Sequence, residues 1–143
     1  MNKLFSLKDR VIVVTGAAGL LGRQHVDAIS KAGGIPILID INSFSLKSIV
    51  NQINLDYKIE SNGYVVDITN EEEVKENCKV ILKKYGKIDG LINNAANNPK
   101  MEISNNKNFS RLENFSILNW DTDISVGLKG AFICSKHYGK AIS

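Results

Sequence analysis

The 143-residue chain is 43% hydrophobic and 23% charged, the composition of one globular domain with enough apolar side chains for a core, and a second domain is not expected in it. Eighteen Lys and Arg against fifteen Asp and Glu leave a net charge of +3, and the basic residues are spread along the chain rather than gathered on one face, which argues against a nucleic-acid partner. Cys78 and Cys134 have no CxxC spacing and no clustered histidines, so neither a disulfide framework nor a metal site is expected and a reducing cytoplasm fits, while no apolar run approaches the roughly 18 residues of a membrane span.

Lys3, Lys8 and Arg10 ahead of the run from Val11 to Leu21 imitate a signal peptide, but Asp9 and the glycines inside that run oppose the reading. Val11 to Thr15 is instead a β-branched strand, followed by a glycine turn and a helix from about Leu20 to Ala32. Ile35 to Ile41 is the second strand, and Ser43 is placed to cap a helix carrying Leu46, Ile49, Val50 and Ile53. Gly63 to Ile68 reads as the third strand. Asn70 caps the next helix, whose apolar face is Val74, Cys78, Ile81, Leu82 and Tyr85 and whose stop is Gly86. Lys83, Lys84 and Lys87 gather at its C-terminal end, where cations meet the negative end of the dipole.

Ile88 to Asn93 reads as the fourth strand, and the Asn- and Ser-rich stretch from Asn94 to Asn114 as a long loop. Helical period returns from Phe115, with Trp120, Ile124, Leu128, Ala131, Ser135, Tyr138 and Ile142 on one face, and continues to the last residue without a stop signal. Alternating strands and helices with right-handed crossovers predict an α/β fold, a doubly wound parallel sheet of Rossmann type with about four strands in the order 3-2-1-4.

The chemistry concentrates where the first strand runs into Thr15-Gly16-Ala17-Ala18-Gly19-Leu20-Leu21-Gly22. Such a turn lets backbone approach a pyrophosphate while a helix N-terminus offers unpaired N–H groups. An ordinary βα turn would account for the glycines alone, but their place between strand and helix favours the nucleotide. Asp40 closes the second strand 24 residues after Gly16, near the spacing of about 20 at which a carboxylate reaches the adenosine ribose. Its charge would repel a 2′-phosphate, and neither Arg10 nor Arg23 stands at the strand end where a phosphate clamp is expected, so NAD is preferred over NADP.

With these features in place, the chain resembles the short-chain dehydrogenase/reductase family at several separated positions in the right order. Val65-Val66-Asp67-Ile68-Thr69 is similar to the family's third-strand end, where an Asp and its apolar neighbour contact adenine. Ile92-Asn93-Asn94-Ala95-Ala96 resembles the family's Asn-Asn-Ala-Gly, which steadies the sheet beside the ribose, and Val126-Gly127-Leu128 stands where the family reads Val-Asn-Leu. Carried onto this chain, the resemblance makes Gly16, Ala18, Gly19, Leu20, Leu21, Gly22, Asp40, Asp67, Ile68, Asn93 and Ala95 the cofactor contacts. It implies an oxidoreductase moving a hydride between NAD(H) and a carbonyl or hydroxyl carbon of a small molecule.

Three departures accompany it: the second glycine lies one residue early, with Leu20 in its usual place; Gly127 replaces an Asn of the proton relay; and the family's Ser and Tyr-xxx-Lys pair would fall beyond residue 143. No local tyrosine substitutes, because Tyr57, Tyr64, Tyr85 and Tyr138 lack a lysine four positions on, so no catalytic residue is assigned. Tyr138 reads as a core residue, His25 as a boundary residue and His137 as a surface or interface residue. The chain is thus expected to be the cofactor half of a longer enzyme. The competing reading is a short non-catalytic NAD-binding module that senses or scaffolds. A polar or sugar-like substrate would suit the Asn- and Ser-rich loop, and homo-oligomers are expected through helix 115–142, whose second face carries Val126, Gly130, Ile133 and His137.

Overall fold

The computed structural model describes residues 5–97 and 112–142. Most of the expected Asn94 to Asn114 loop, residues 98–111, lies outside the described residues. Strand β1, Val11–Thr15, has Val11, Val13, Val14 and Thr15 all buried, which is why a β-branched run without alternation forms here: it lies at the sheet centre with both faces covered. It pairs in parallel with β2, Ile35–Asp40, from Val11 opposite Ile35 to Thr15 opposite Ile39. On its other side it pairs with β4, Gly90–Ile92, while β2 carries β3, Asn62–Val65. The resulting order is β3-β2-β1-β4, as the crossover rule predicts.

Helices α1, Leu20–Lys31, and α2, Ser43–Tyr57, cover one face of the sheet, where Val14, Val26, Ile29, Leu38, Leu46 and Ile53 pack together. On the opposite face α3, Glu71–Tyr85, meets Val13, Ile37, Ile39, Val74 and Ile81. Asn70 caps α3, accepting from the Glu72 and Glu73 N–H groups, and Gly86 ends it in a left-handed conformation, both as expected. The cap of α2 is Asn42 rather than Ser43: the amide oxygen of Asn42 accepts from the Ser45 N–H at 3.0 Å.

Two strands are shorter than their apolar runs. β3 ends at Val65 because the next residues are drawn into the cap of α3: Glu73 accepts the Asp67 N–H, and Asp67 accepts from Thr69. β4 starts at Gly90 and stops at Ile92, where the Asn94 N–H turns to the side-chain hydroxyl of Thr15 on β1 instead of to a backbone carbonyl.

The C-terminal helix departs most from expectation. It runs without a break but not with one period: α4, Ile117–Ile124, passes into a π-helical segment Ser125–Gly130 and then into α5, Ala131–His137, closed by a short 3₁₀ turn at Gly139–Ala141. It therefore ends within the described residues, and Ile142 beyond it bridges in parallel to Ile88, just ahead of β4. The faces are also exchanged. Gly130, Ile133, Cys134 and Tyr138 are buried against the sheet, while Leu128, expected inward, is 65% exposed and Trp120 55% exposed. At Gly130 the helix comes close to the Ile68 side chain, whose Cδ1 would lie 2.6 Å from an added Cβ. The six-residue π-helical segment ahead of this contact departs from the 3.6-residue period on which the inward face was expected. Val126, Gly130, Ile133 and His137 consequently do not form the outward surface expected of them; His137 rests 2.9 Å from Glu71. Tyr138 is a core residue as expected, its hydroxyl donating to Asn77 at 2.9 Å.

Candidate functional site

The carboxyl ends of the parallel strands open into a cleft of about 960 Å³, the edge at which open α/β sheets bind ligands. Its floor is the glycine turn. Gly16 has φ +62°, and a Cβ there would come within 2.8 Å of Ala95 Cα, so both the backbone conformation and the contact with the segment after β4 require glycine. A Cβ at Gly22 would lie 2.1 Å from the Gly16 carbonyl oxygen, which lets α1 start tight against the turn. The N-terminus of α1 has no side-chain cap and no acidic residue in its first turn, leaving its N–H groups and positive dipole end for a ligand.

Three stretches complete the walls. From β2 come Ile39, Asp40 and Ile41; from the segment after β3 come Val66 to Thr69; from the segment after β4 come Asn94 to Asn97. Asp40 accepts the Ala18 N–H at 2.9 Å on one oxygen and the Asn42 N–H at 3.0 Å on the other. One lone pair on each oxygen is left over, enough to accept from a diol. Asp67 spends one oxygen on Thr69.

Of the residues assigned from sequence, Gly16, Gly19, Leu20, Leu21, Asp40, Asp67, Ile68 and Ala95 border the cleft. Ala18, Gly22 and Asn93 stand behind it. Ala18 bonds to Asp40, Gly22 serves packing, and the Asn93 amide donates to Ser135 at 3.1 Å. The asparagine that works at the cleft is the next one. Asn94 donates its side-chain amide to the Thr15 and Gly16 carbonyls at 2.9 and 3.1 Å, and its N–H to the Thr15 hydroxyl at 3.0 Å. Thr15, buried to 1%, also receives the Ala95 N–H, so β1 and β4 are stapled where the floor of the cleft begins. Sequence reasoning missed Asn94 and Thr15, although the Asn-Asn-Ala stretch contained the signal. It also missed Asp121, Thr122, Ser125 and Val126 of the fourth wall, which the misread face of the C-terminal helix concealed.

The lining contains Asp40, Asp67 and Asp121 and, among the described residues, no Lys, Arg or His. No described tyrosine borders it. Burial pushes Tyr138 well above the usual phenol range, and Tyr57 and Tyr85 are engaged with Asp27 and the Glu60 carbonyl. Burial likewise raises the Cys134 thiol to about 12, so it is inert at neutral pH. Among the described residues no group of His, Cys, Asp or Glu could hold a metal, and no helix is long and apolar enough to cross a membrane.

Residues 10–142 match the family model described as short chain dehydrogenase. The chain belongs to the short-chain dehydrogenase family. It is 29% identical over 140 residues to a probable NADP-dependent mannitol dehydrogenase of Yarrowia lipolytica, covering 95% of this chain and 46% of that protein. With an NAD-dependent glycerol dehydrogenase of Listeria innocua it shares 30% over 139 residues, 97% of this chain and 50% of the other. The structure of an NAD⁺-bound xylitol dehydrogenase superposes with a TM-score of 0.79 at 23% identity, over 95% of this chain and 49% of that one, a likeness of fold alone. The chain spans about half the length of the curated relatives it matches. Gly127, where the family resemblance expects Asn, lies in the π-helical segment with nothing within 4 Å of an added Cβ.

Proposed function

We propose that this chain binds the adenosine and pyrophosphate of a nicotinamide dinucleotide in the cleft and contributes the cofactor half of an oxidoreductase acting on a carbonyl or hydroxyl carbon. The observation that carries the proposal is the glycine turn, whose backbone is bare toward the cleft at Gly16 and Gly19 and leads into an uncapped helix N-terminus. A bound nicotinamide supplies the hydride chemistry; the residues of the chain hold and orient. Asp40 accepts from the ribose hydroxyls, Ile68 and Val66 offer apolar surface to the base, and Asn94 keeps the far wall fixed to β1. With three aspartates and no cation along the described lining, a 2′-phosphate finds no partner, which supports NAD over NADP.

A mannitol and a glycerol dehydrogenase among the similar proteins support a polyol or the matching ketose as substrate class. The exposed apolar side chains of Leu118, Trp120, Leu128 and Phe132 support a homo-oligomer, and two free cysteines support a reducing, cytoplasmic compartment. Equilibrium titrations with NADH and NADPH test the reading. NADH is expected to bind at least about tenfold more tightly, consistent with one or two charge-assisted bonds to Asp40. Equal affinities would remove the NAD preference, and no saturable binding of either would remove the cofactor site.

A further inference from the structure

Ala18 does not border the cleft, yet both its N–H and its carbonyl are held by charged side chains. Its N–H donates to Asp40 at 2.9 Å, and its carbonyl accepts from Arg23 Nε at 3.0 Å. The N–H of the Ala18–Gly19 peptide is itself bonded to the Gly16 carbonyl at 3.1 Å. Two consecutive peptide planes are therefore fixed, the first by a carboxylate and the second at both ends, with a guanidinium on its carbonyl. These are the planes that set the direction of the Gly19 and Leu20 backbone, which does border the cleft.

Arg23 enters through ordinary helix geometry. It is the fourth residue of α1, so its side chain leans back over the preceding turn, as helical side chains do. Its Nε reaches the carbonyl five residues earlier.

We infer that Arg23 is a positioning residue of the nucleotide site, acting with Asp40 through the Ala18 peptide to preset the glycine turn before a ligand arrives. The inference rests on the reading of this turn as the seat of a dinucleotide. Arg23 touches no ligand in this scheme. Its contribution is to remove freedom that the turn would otherwise lose on binding. Asp40 then has two duties, ribose recognition and turn geometry.

Arg23→Met keeps the apolar stem and removes the donors; Arg23→Lys restores a charge and a donor. Three readouts separate the possibilities: amide hydrogen exchange at Ala18 and Gly19 without nucleotide, and the affinities for NADH and for adenosine. In Arg23→Met, exchange at these two amides is expected to rise roughly 2- to 10-fold, the range one exposed hydrogen bond controls. NADH and adenosine should weaken by a common factor within that range, and Arg23→Lys should recover most of both effects. Loss of NADH affinity with adenosine and exchange unchanged would mean that Arg23 meets a phosphate directly, and would overturn the inference. So would unchanged values in all three readouts. If the unmodified chain binds no NADH, the cofactor reading fails, while exchange at Ala18 still decides whether Arg23 holds the turn.

Discussion

Replacing Gly22 with alanine places one methyl where the structure has no space. The new Cβ would lie 2.1 Å from the Gly16 carbonyl oxygen and within 3 Å of Ala17 Cα and its carbonyl carbon. All three are backbone atoms, so no rotamer change relieves the clash, and a carbon needs roughly 3.4 Å from such neighbours. The start of α1 must move away by about 1 Å, carrying its N–H groups from the cleft. Overpacking of this kind costs about 1–3 kcal/mol, and the higher helix propensity of alanine returns roughly 0.5–1 kcal/mol of that. Gly127→Ala is the matched control, because nothing lies within 4 Å of its Cβ. Urea unfolding followed by circular dichroism should therefore show Gly22→Ala less stable than Gly127→Ala by about 1–3 kcal/mol, with Gly127→Ala unchanged or slightly stabilised. NADH affinity should fall with the first and hold with the second. A Gly22→Ala protein as stable as Gly127→Ala would refute the tight seat of α1 on the turn.

Other perturbations reach different parts of the structure. Asp40→Ala is expected to weaken NADH by about 1.5–3 kcal/mol for each ribose bond lost, while NADPH changes less because a repulsion goes with the carboxylate; parallel titrations check this, and equal losses would place the ribose elsewhere. At the opposite end of the sheet, burial alone would raise Asp89, but the Val11 N–H, Arg10 and Lys87 outweigh it and hold the carboxyl at about 2 against 3.8. A depressed folded value contributes stability above about pH 4 that is lost as pH falls toward 2, on the order of 2 kcal/mol here. Asp89→Asn should flatten that part of the stability profile, as chemical denaturation between pH 2 and 6 would register. Leu128→Lys, in the exposed strip, should lower the solution mass measured by light scattering without loss of helix signal; a mass that does not change would remove this strip as the association surface.

The sheet was legible because its signals agree at every level. β-branched runs, glycine turns and capping asparagines point to the same four strands, and burial on both faces explains why the central strand shows no alternation. What sequence could not resolve were choices between near-equal neighbours. Asn42 and Ser43 both make good caps, and only the Ser45 N–H distinguishes them. Asn93 and Asn94 are identical in type, and the pleat sends the first to Ser135 and the second to Thr15. The last helix is apolar on two faces, and the π-helical segment Ser125–Gly130 breaks the 3.6-residue period by which sequence alone would choose between them. The bond from Arg23 to Ala18 left no mark in composition or spacing, since it depends on how a side chain lies across a turn.

The most direct measurement is a backbone amide spectrum of the labelled chain recorded while NADH is added. Saturable shifts are expected at Gly16, Gly19, Leu20, Leu21, Asp40, Ile68 and Ala95, which border one cleft, with Cys78 and Asn77 in the far core unmoved. Shifts confined to the exposed strip of α4 and α5, or none at saturating nucleotide, would contradict a dinucleotide seat on the glycine turn.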